Sequence, residues 1–566
     1  MLPADHGYFD YRGSPAEEGT RYAFSLDGGP ARPDPCSRWQ PDGVPGPSAV
    51  FWPKNFRWSD ADWKGISRAD LVFYELHVGT FTPEGTFDAI IPRLADLKAL
   101  GITAIEIMPV NQFSGTRNWG YDGVLPYAAQ HNYGGPQGFQ RLVDAAHRVG
   151  LAVVLDVVYN HFGPEHNYLE EFGPYLTDQY KTPWGKAVNF DGRGSDAVRD
   201  FVLENVRMWL EDFHLDGLRL DAVHAIYDMS ARHILQEIKD TACAVGERVK
   251  RKIHIVGESD LNDPRVILPR ERGGHGLDAQ WSDDFHHAVH AYLATEKRGY
   301  YADYGCRSHI ARALQEPFIY AGDYSEHRGR RHGATAKGIP GDRFVVCLQN
   351  HDQVGNRAMG DRLACFLDNP AKLRLAAGLL LLSPHLPLLF MGEEYGEKRC
   401  FPFFCSFSGE DLIQAVRDGR KREFADFVSD PDDVPLPDAV ETFNSAKLSW
   451  SWPQGTFNGQ LRQLYADLLA LRRSHEALRD FTAWSARLLP DANDGPLLEL
   501  IRGTGAGALR CFFNLTRDTQ PASLPASAPQ PLLSSERHLY GGARTDAGPV
   551  RELLPFECLV FAGPRH

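Results

Sequence analysis

From Leu71 onward, short and nearly unbroken apolar runs alternate with longer amphipathic segments, and few folds accept that rhythm. The runs are Leu71–Val78, Thr103–Val110, Leu151–Val158, Gly217–Val223, His254–Glu258, Ala279–Phe285, Phe344–Asn350 and Leu386–Gly392. Between them, Thr86–Leu100, Pro136–Val149, Asp196–His214 and Arg232–Val245 repeat apolar residues at helical spacing. A strand that is apolar on consecutive residues is covered on both faces, the condition of a parallel sheet sheathed by helices. Eight such strand–helix units predict an α/β protein built on a (β/α)8 TIM barrel. A doubly wound sheet is the competing architecture, but no GxGxxG or Walker-type loop follows the first run.

At 566 residues the chain exceeds one compact unit. Residues 1–60 are rich in Gly, Pro and Asp, with one strand-like run at Arg21–Leu26. They read as a partial N-terminal β-sandwich module and connector, the module starting near its end around Tyr8–Gly28. Residues 61–478 hold the barrel, with an inserted loop domain at 160–195 after the third strand and Gln460–Leu478 as the last helix. Residues 479–566 alternate short apolar runs with Gly, Pro and Ser, which predicts a C-terminal β-sandwich.

Lys+Arg 60 against Asp+Glu 74 leaves a net charge of −14, the wrong sign for a nucleic-acid partner. A neutral substrate suits it better. The N-terminus has no basic segment followed by an apolar one, and no run is long enough to span a bilayer, so neither secretion nor membrane anchoring is expected. Nine dispersed cysteines without a CxxC pair predict reduced thiols and a cytoplasmic location. With neither HExxH nor an EF-hand run, no metal and no cofactor are expected.

A barrel of this type gathers its chemistry at the C-terminal ends of the strands. There the sequence places Asp156, Asn160 and His161 after the third strand, Arg219 and Asp221 on the fourth, Glu258 closing the fifth, and His351 and Asp352 after the seventh. Arg219 and Asp221 share one strand face, so the guanidinium stands beside the carboxyl, either bracing the barrel or holding a ready anion. Glu258 closes an apolar strand, where burial and a neighbouring negative charge raise a carboxyl toward the acid/base role, or where it bonds to a loop. Asp352 is the candidate like charge. Trp119 and Tyr121, in a loop after the second strand, offer rings for stacking on sugar or for packing.

In order and spacing, Asp156–His161, Gly217–His224, Val256–Glu258 and Phe344–Asp352 resemble the signature regions of the α-amylase family, glycoside hydrolase family 13. The resemblance implies Asp221 as nucleophile, Glu258 as acid/base and Asp352 as transition-state stabiliser, with Arg219, His161, His351 and Tyr121 around the cleaved sugar. It also implies retention, with the working carboxyls roughly 5–5.5 Å apart. Five further segments resemble one branch, the maltooligosyltrehalose trehalohydrolases: Pro33–Val44, Tyr159–Pro164, Asp221–Ala225, Trp281–His287 and Pro402–Phe404. That branch implies cleavage beside a terminal trehalose, a maltooligosyltrehalose substrate, and a maltooligosyltrehalose synthase as functional partner. His224, Asp283, Asp284, Glu393, Phe403 and Phe404 then become candidates for the leaving-group side. A glycogen branching enzyme, an α-amylase or debranching enzyme, and a non-catalytic glucan-binding or transporter-accessory barrel remain open alternatives.

Overall fold

Eight parallel strands close on themselves in chain order. They are β1 Phe73–Leu76, β2 Ala104–Ile107, β3 Ala152–Val157, β4 Gly217–Leu220, β5 His254–Gly257, β6 Ala279–Trp281, β7 Phe344–Cys347 and β8 Leu386–Phe390. This computed structural model describes residues 1–566 except 4–8, 12, 425–429, 431–432, 491–493, 522–529, 546–549 and 564–566.

Each apolar run of the sequence carries one barrel strand, and the strand is shorter than the run because its last residues leave the ladder for the rim. The run Ala279–Phe285 shows this most clearly: the strand ends at Trp281 and the helix Asp284–Ala294 has already begun at Asp284. The segment Thr86–Leu100 is not one helix. Pro92 has no N–H to give, and a tight turn at Ile91–Arg93 separates Phe87–Ile90 from Leu94–Leu100.

Alternation along the strands sorts side chains into two cores. Phe73, Ala104, Val154, Val256, Ala279, Val345 and Leu388 fill the barrel interior. Their neighbours Tyr74, Ile105, Leu155, Leu218, Ile255, Val346 and Leu389 pack outward in the larger cluster with the helices. One step further along the inward face the side chains become polar: Glu75, Glu106, Asp156 and Arg219 are all buried there. Glu75 stands level with Glu106, and Asp156 with Arg219. This charged layer is the floor of the site.

Three smaller parts surround the barrel. After β3 the chain forms an antiparallel hairpin, Leu176–Thr182 against Gly185–Val188. At the N-terminus, Arg21–Leu26 gives two short pairings rather than one strand: Arg21–Tyr22 with Ser48–Ala49, and Phe24–Ser25 with Ala31–Arg32. Tyr8 lies outside the described residues. The C-terminal part is a five-stranded antiparallel sheet of β9 Trp484–Leu489, β10 Leu497–Arg502, β11 Leu509–Asn514, β12 Leu533–Ser534 and β13 Cys558–Ala562, in the order β9-β10-β11-β13-β12. It is fastened to the helix Pro370–Leu382 by the buried Arg374–Glu536 ion pair at 2.6 Å and by Arg502, which donates to the Leu382 and Ser383 carbonyls.

Candidate active site

The ends of β3, β4 and β5 are laced beyond the strands themselves. Asp221 N–H donates to the Val157 carbonyl at 3.0 Å, Glu258 N–H to Leu220 at 3.0 Å, and Val223 N–H to Glu258 at 2.9 Å. Asp221 and Glu258 are thereby held side by side at the rim. Ala222, between Asp221 and Val223, takes a left-handed backbone with φ 40°. A residue with a Cβ rarely does so, and the ladder that carries Asp221 has to hold it there. In return the Ala222 N–H turns to the Glu258 Oε2 at 2.5 Å.

Arg219 is wholly buried and organises the carboxyls. Its Nη1 donates to Asp221 Oδ1 at 2.9 Å and to both Asp156 oxygens, while Nη2 lies 3.7 Å from Glu258 Oε2. The guanidinium rests 4.2 Å from the Trp281 ring centroid. Asp221 Oδ2 accepts from Asn160 Nδ2 at 2.7 Å. Asp221 is thus fixed by a cation on one oxygen and an amide on the other. Glu258 has no such pair of donors. Burial raises its carboxyl, Arg219 opposes this, and the charges of Asp221 and Asp352 raise it further. The two carboxyls around Arg219 therefore differ in character, one held as an acceptor and one biased to keep its proton.

Asp352 follows β7 on the short helix His351–Gly355, which Asn350 caps by accepting from Gln353 N–H at 2.9 Å. Its side chain stays 41% exposed toward the opening and lies 3.5 Å from His351 Nε2. His351 is buried, with Nδ1 on Glu75 Oε1 at 2.5 Å and Nε2 at 2.8 Å from the Tyr121 hydroxyl. Burial works against the imidazolium, yet the Asp352 and Glu75 carboxylates outweigh it and push His351 up to about 9. The Tyr121 hydroxyl in turn donates to Asp156 Oδ2 at 2.6 Å. Burial pushes Asp156 up to about 7. The Tyr121 loop is set by Gly120, at φ 109°, where a Cβ would meet the Pro109 carbonyl at 2.0 Å.

Asp221, Ala222, Glu258, Tyr121, His351 and Asp352 line an open cavity of about 420 Å³ together with Trp119, His161, Trp184, His224, Asp260, Asn356, Phe403 and Arg420. His161 lies in the wall, but both its ring nitrogens already face protein oxygens, Asn160 Oδ1 and the Tyr121 carbonyl, so what it offers the cavity is its ring. Asn160 and Asp156 act through their neighbours, holding Asp221 and Arg219. Asp283 is deeply placed, and burial, with the charges of Glu258 and Asp352 next, pushes it up to about 8.

Four residues expected at the leaving-group side, Asp283, Asp284, Glu393 and Phe404, are not among those lining the cavity. Phe404 is fully buried, edge-on to His77, Phe401 and Phe443, whereas Phe403 one residue earlier faces the opening. Asp284 spends its oxygens within the protein, accepting from Tyr304 Oη, Asn262 Nδ2 and the Ile319 and Tyr320 N–H groups. Glu393 is buried behind β8, accepts from Tyr465 Oη at 3.1 Å, and is pushed by burial up to about 8.

Other wall residues escaped the sequence reading. Trp184 projects from the turn of the inserted hairpin, 47% exposed, and stacks on His161 at 4.4 Å with the rings 3° apart. An aromatic in a Pro-Trp-Gly turn was the available signal. Arg420 comes from the helix Glu410–Phe424 and donates to the Gly355 carbonyl at 2.7 Å, an approach with no trace in local sequence. Glu75 was visible as a lone carboxyl inside the first apolar run. Among the described residues, no group of three or more His, Cys, Asp or Glu is placed to hold a metal ion, and no helix is long and apolar enough to cross a membrane.

The alpha amylase catalytic-domain family model matches residues 50–184. The malto-oligosyltrehalose trehalohydrolase of Saccharolobus solfataricus is 50% identical over 471 residues, covering 83% of this chain and 80% of that protein. The protein of that name from Mycobacterium tuberculosis is 42% identical over 532 residues, covering 93% and 90%. A crystal structure of a provisionally named alpha amylase from Salmonella typhimurium superposes with a TM-score of 0.86 at 41% identity, over 97% of this chain and 91% of that one.

Proposed function

The chain belongs to the malto-oligosyltrehalose trehalohydrolases of the α-amylase family, glycosidases that release trehalose, and on that premise we propose how its pocket cleaves the bond. The substrate is a maltooligosyltrehalose, bound with its last α-1,4 linkage between Asp221 and Glu258. Asp221 attacks the anomeric carbon of the glucose on the non-reducing side, and Glu258 gives its proton to the linking oxygen. Trehalose leaves, and the remaining chain is held as a glucosyl ester on Asp221. Glu258, now a carboxylate, takes a proton from water as the water attacks the same carbon. The ester breaks and the maltooligosaccharide departs with its α configuration retained.

Asp352 faces the positive charge that builds on the ring in each transition state, and the His351 imidazolium beside it fixes its direction. Phe403 and Trp184 present rings to sugar faces, while His224 stands where a kinked α,α-1,1 disaccharide has to be told from maltose. The observation that carries the proposal is the unequal treatment of the two carboxyls around Arg219: Asp221 takes a 2.9 Å ion pair on one oxygen and the Asn160 amide on the other, while Glu258 has Arg219 only at 3.7 Å, takes one backbone N–H, and is raised.

The test is incubation with maltopentaosyl trehalose and, separately, with maltohexaose. Trehalose and maltopentaose should appear from the first, with much slower hydrolysis of the second. Branched products would make the chain a transferase, and unchanged activity in Asp221→Ala would end the catalytic assignment. Because the substrate carries a 1,1 linkage at what was a reducing end, a maltooligosyltrehalose synthase reaction has to supply it. The nine free thiols suit the reducing cytoplasm where we place both steps.

A further inference from the structure

Away from the sugar pocket, two of the nine cysteines meet. Cys365 lies on the one-turn helix Leu363–Phe366, and Cys400 lies on the strap that follows β8. Each thiol is the neighbour that most perturbs the other. Cys365 Sγ is 3.3 Å from the Lys398 carbonyl oxygen, and Cys400 Sγ is 3.9 Å from Asp361 Oδ1. The two straps are held together without the sulfurs. Phe401 N–H donates to the Gly360 carbonyl at 2.8 Å, and Arg362 Nε to the Arg399 carbonyl at 2.6 Å. Cys365 is exposed and Cys400 half-buried, so one sulfur is reachable and the other waits behind it.

We propose that Cys365 and Cys400 form a reversible oxidation site that reacts with small-molecule disulfides and closes into an intramolecular disulfide across the pocket wall. The roles divide by environment. Contact with Cys400 brings the Cys365 thiol down to about 6, while the same contact and burial raise Cys400. Cys365 as thiolate attacks one sulfur of the small disulfide, forming a mixed disulfide and expelling the first thiolate. Cys400 then loses its proton to solvent and attacks the Cys365 sulfur, forming the internal bond and expelling the second thiolate. Two protein thiols are oxidised and one small disulfide is reduced to two thiols. One strap runs back to Asn356 and the other runs on to Phe403, both lining the cavity, so the new bond joins two walls of the sugar site.

The test treats reduced full-length enzyme with oxidised glutathione and reads intact mass and peptide maps. Wild type should lose two hydrogens without accumulating an adduct and yield a peptide cross-linked between Cys365 and Cys400. C400S should stop as a glutathione adduct on Cys365, and C365S should take up none at Cys400. Oxidation should raise Tm, with reversal by dithiothreitol. Neither residue lines the cavity, so both variants should retain trehalose release to within about twofold. A persistent adduct on wild-type Cys365, a cross-link between other cysteines, or no reaction would overturn the proposal.

Discussion

Glu75→Gln should strip the enzyme of a stabilisation present only at low and neutral pH. His351 is raised from 6.5 to about 9 in a fully buried position. At about 1.4 kcal/mol per unit, the folded state gains about 3 kcal/mol from binding this proton, as an order of magnitude. Because the folded value is the raised one, that stability is complete below about pH 6.5 and fades as pH climbs to about 9. Burial opposes the charge, Asp352 supplies the first favourable contribution, and Glu75 supplies the next two, a charge and a hydrogen bond. Gln at 75 keeps the shape, but its single amide oxygen can accept from only one of the two His351 N–H groups that Glu75 serves, and the charge is gone. The variant's loss of stability relative to wild type should be larger near pH 6 than near pH 9.5 by about 2 kcal/mol. Urea unfolding of both proteins at the two pH values measures the gap. An equal gap at both would show that no proton is shared between Glu75 and His351, and the account of how Asp352 is held would fall with it.

Glu258→Gln should cut turnover of a maltooligosyltrehalose by about 10³-fold, yet slow the formation of the glucosyl ester from an aryl α-glucoside with an acidic leaving group by less than about tenfold. Equal losses on the two substrates would remove Glu258 as proton donor. Asp283 is pushed up to about 8 by burial first and then by the charge of Glu258, a repulsion that acts on both carboxyls. Asp283→Asn should therefore move the alkaline limb of kcat/KM to lower pH, by about half a unit, and a pH–rate profile in which the limb stays or rises contradicts the coupling. Phe403→Ala should raise KM with little change in Tm, whereas Phe404→Ala, emptying a fully buried site, should cost about 3–5 kcal/mol of stability with KM nearly unchanged. Kinetics and thermal melts on the pair decide it.

What the sequence displays of this site and what it hides have one physical origin. Barrel strands advertise themselves because burial on both faces leaves no polar alternation, and every apolar run from Leu71 to Gly392 contains one strand. Within such runs a charged residue stands out, which is why Asp156, Arg219, Asp221 and Glu258 could be named from their strands. Glu75 and Glu106 were just as conspicuous and were passed over, since the family pattern directs attention to rim carboxyls rather than to the layer beneath them. Loops are different. Asp284 begins a helix where Tyr304, Asn262 and two backbone N–H groups converge on it, and nothing in the local string Trp-Ser-Asp-Asp says which carboxyl faces sugar. Phe403 and Phe404 are indistinguishable as letters, yet adjacent side chains on an extended strap point opposite ways, so one lines the cavity and the other packs on His77. Arg420 reaches the wall from a helix far along the chain, through a hydrogen bond to Gly355 that no periodicity encodes. The chemistry on strands is thus legible because the fold repeats there. On the proposed reading the discrimination of trehalose from maltose falls to wall residues such as Trp184, His224 and Phe403, and a substrate-by-variant comparison at these three positions addresses specificity directly.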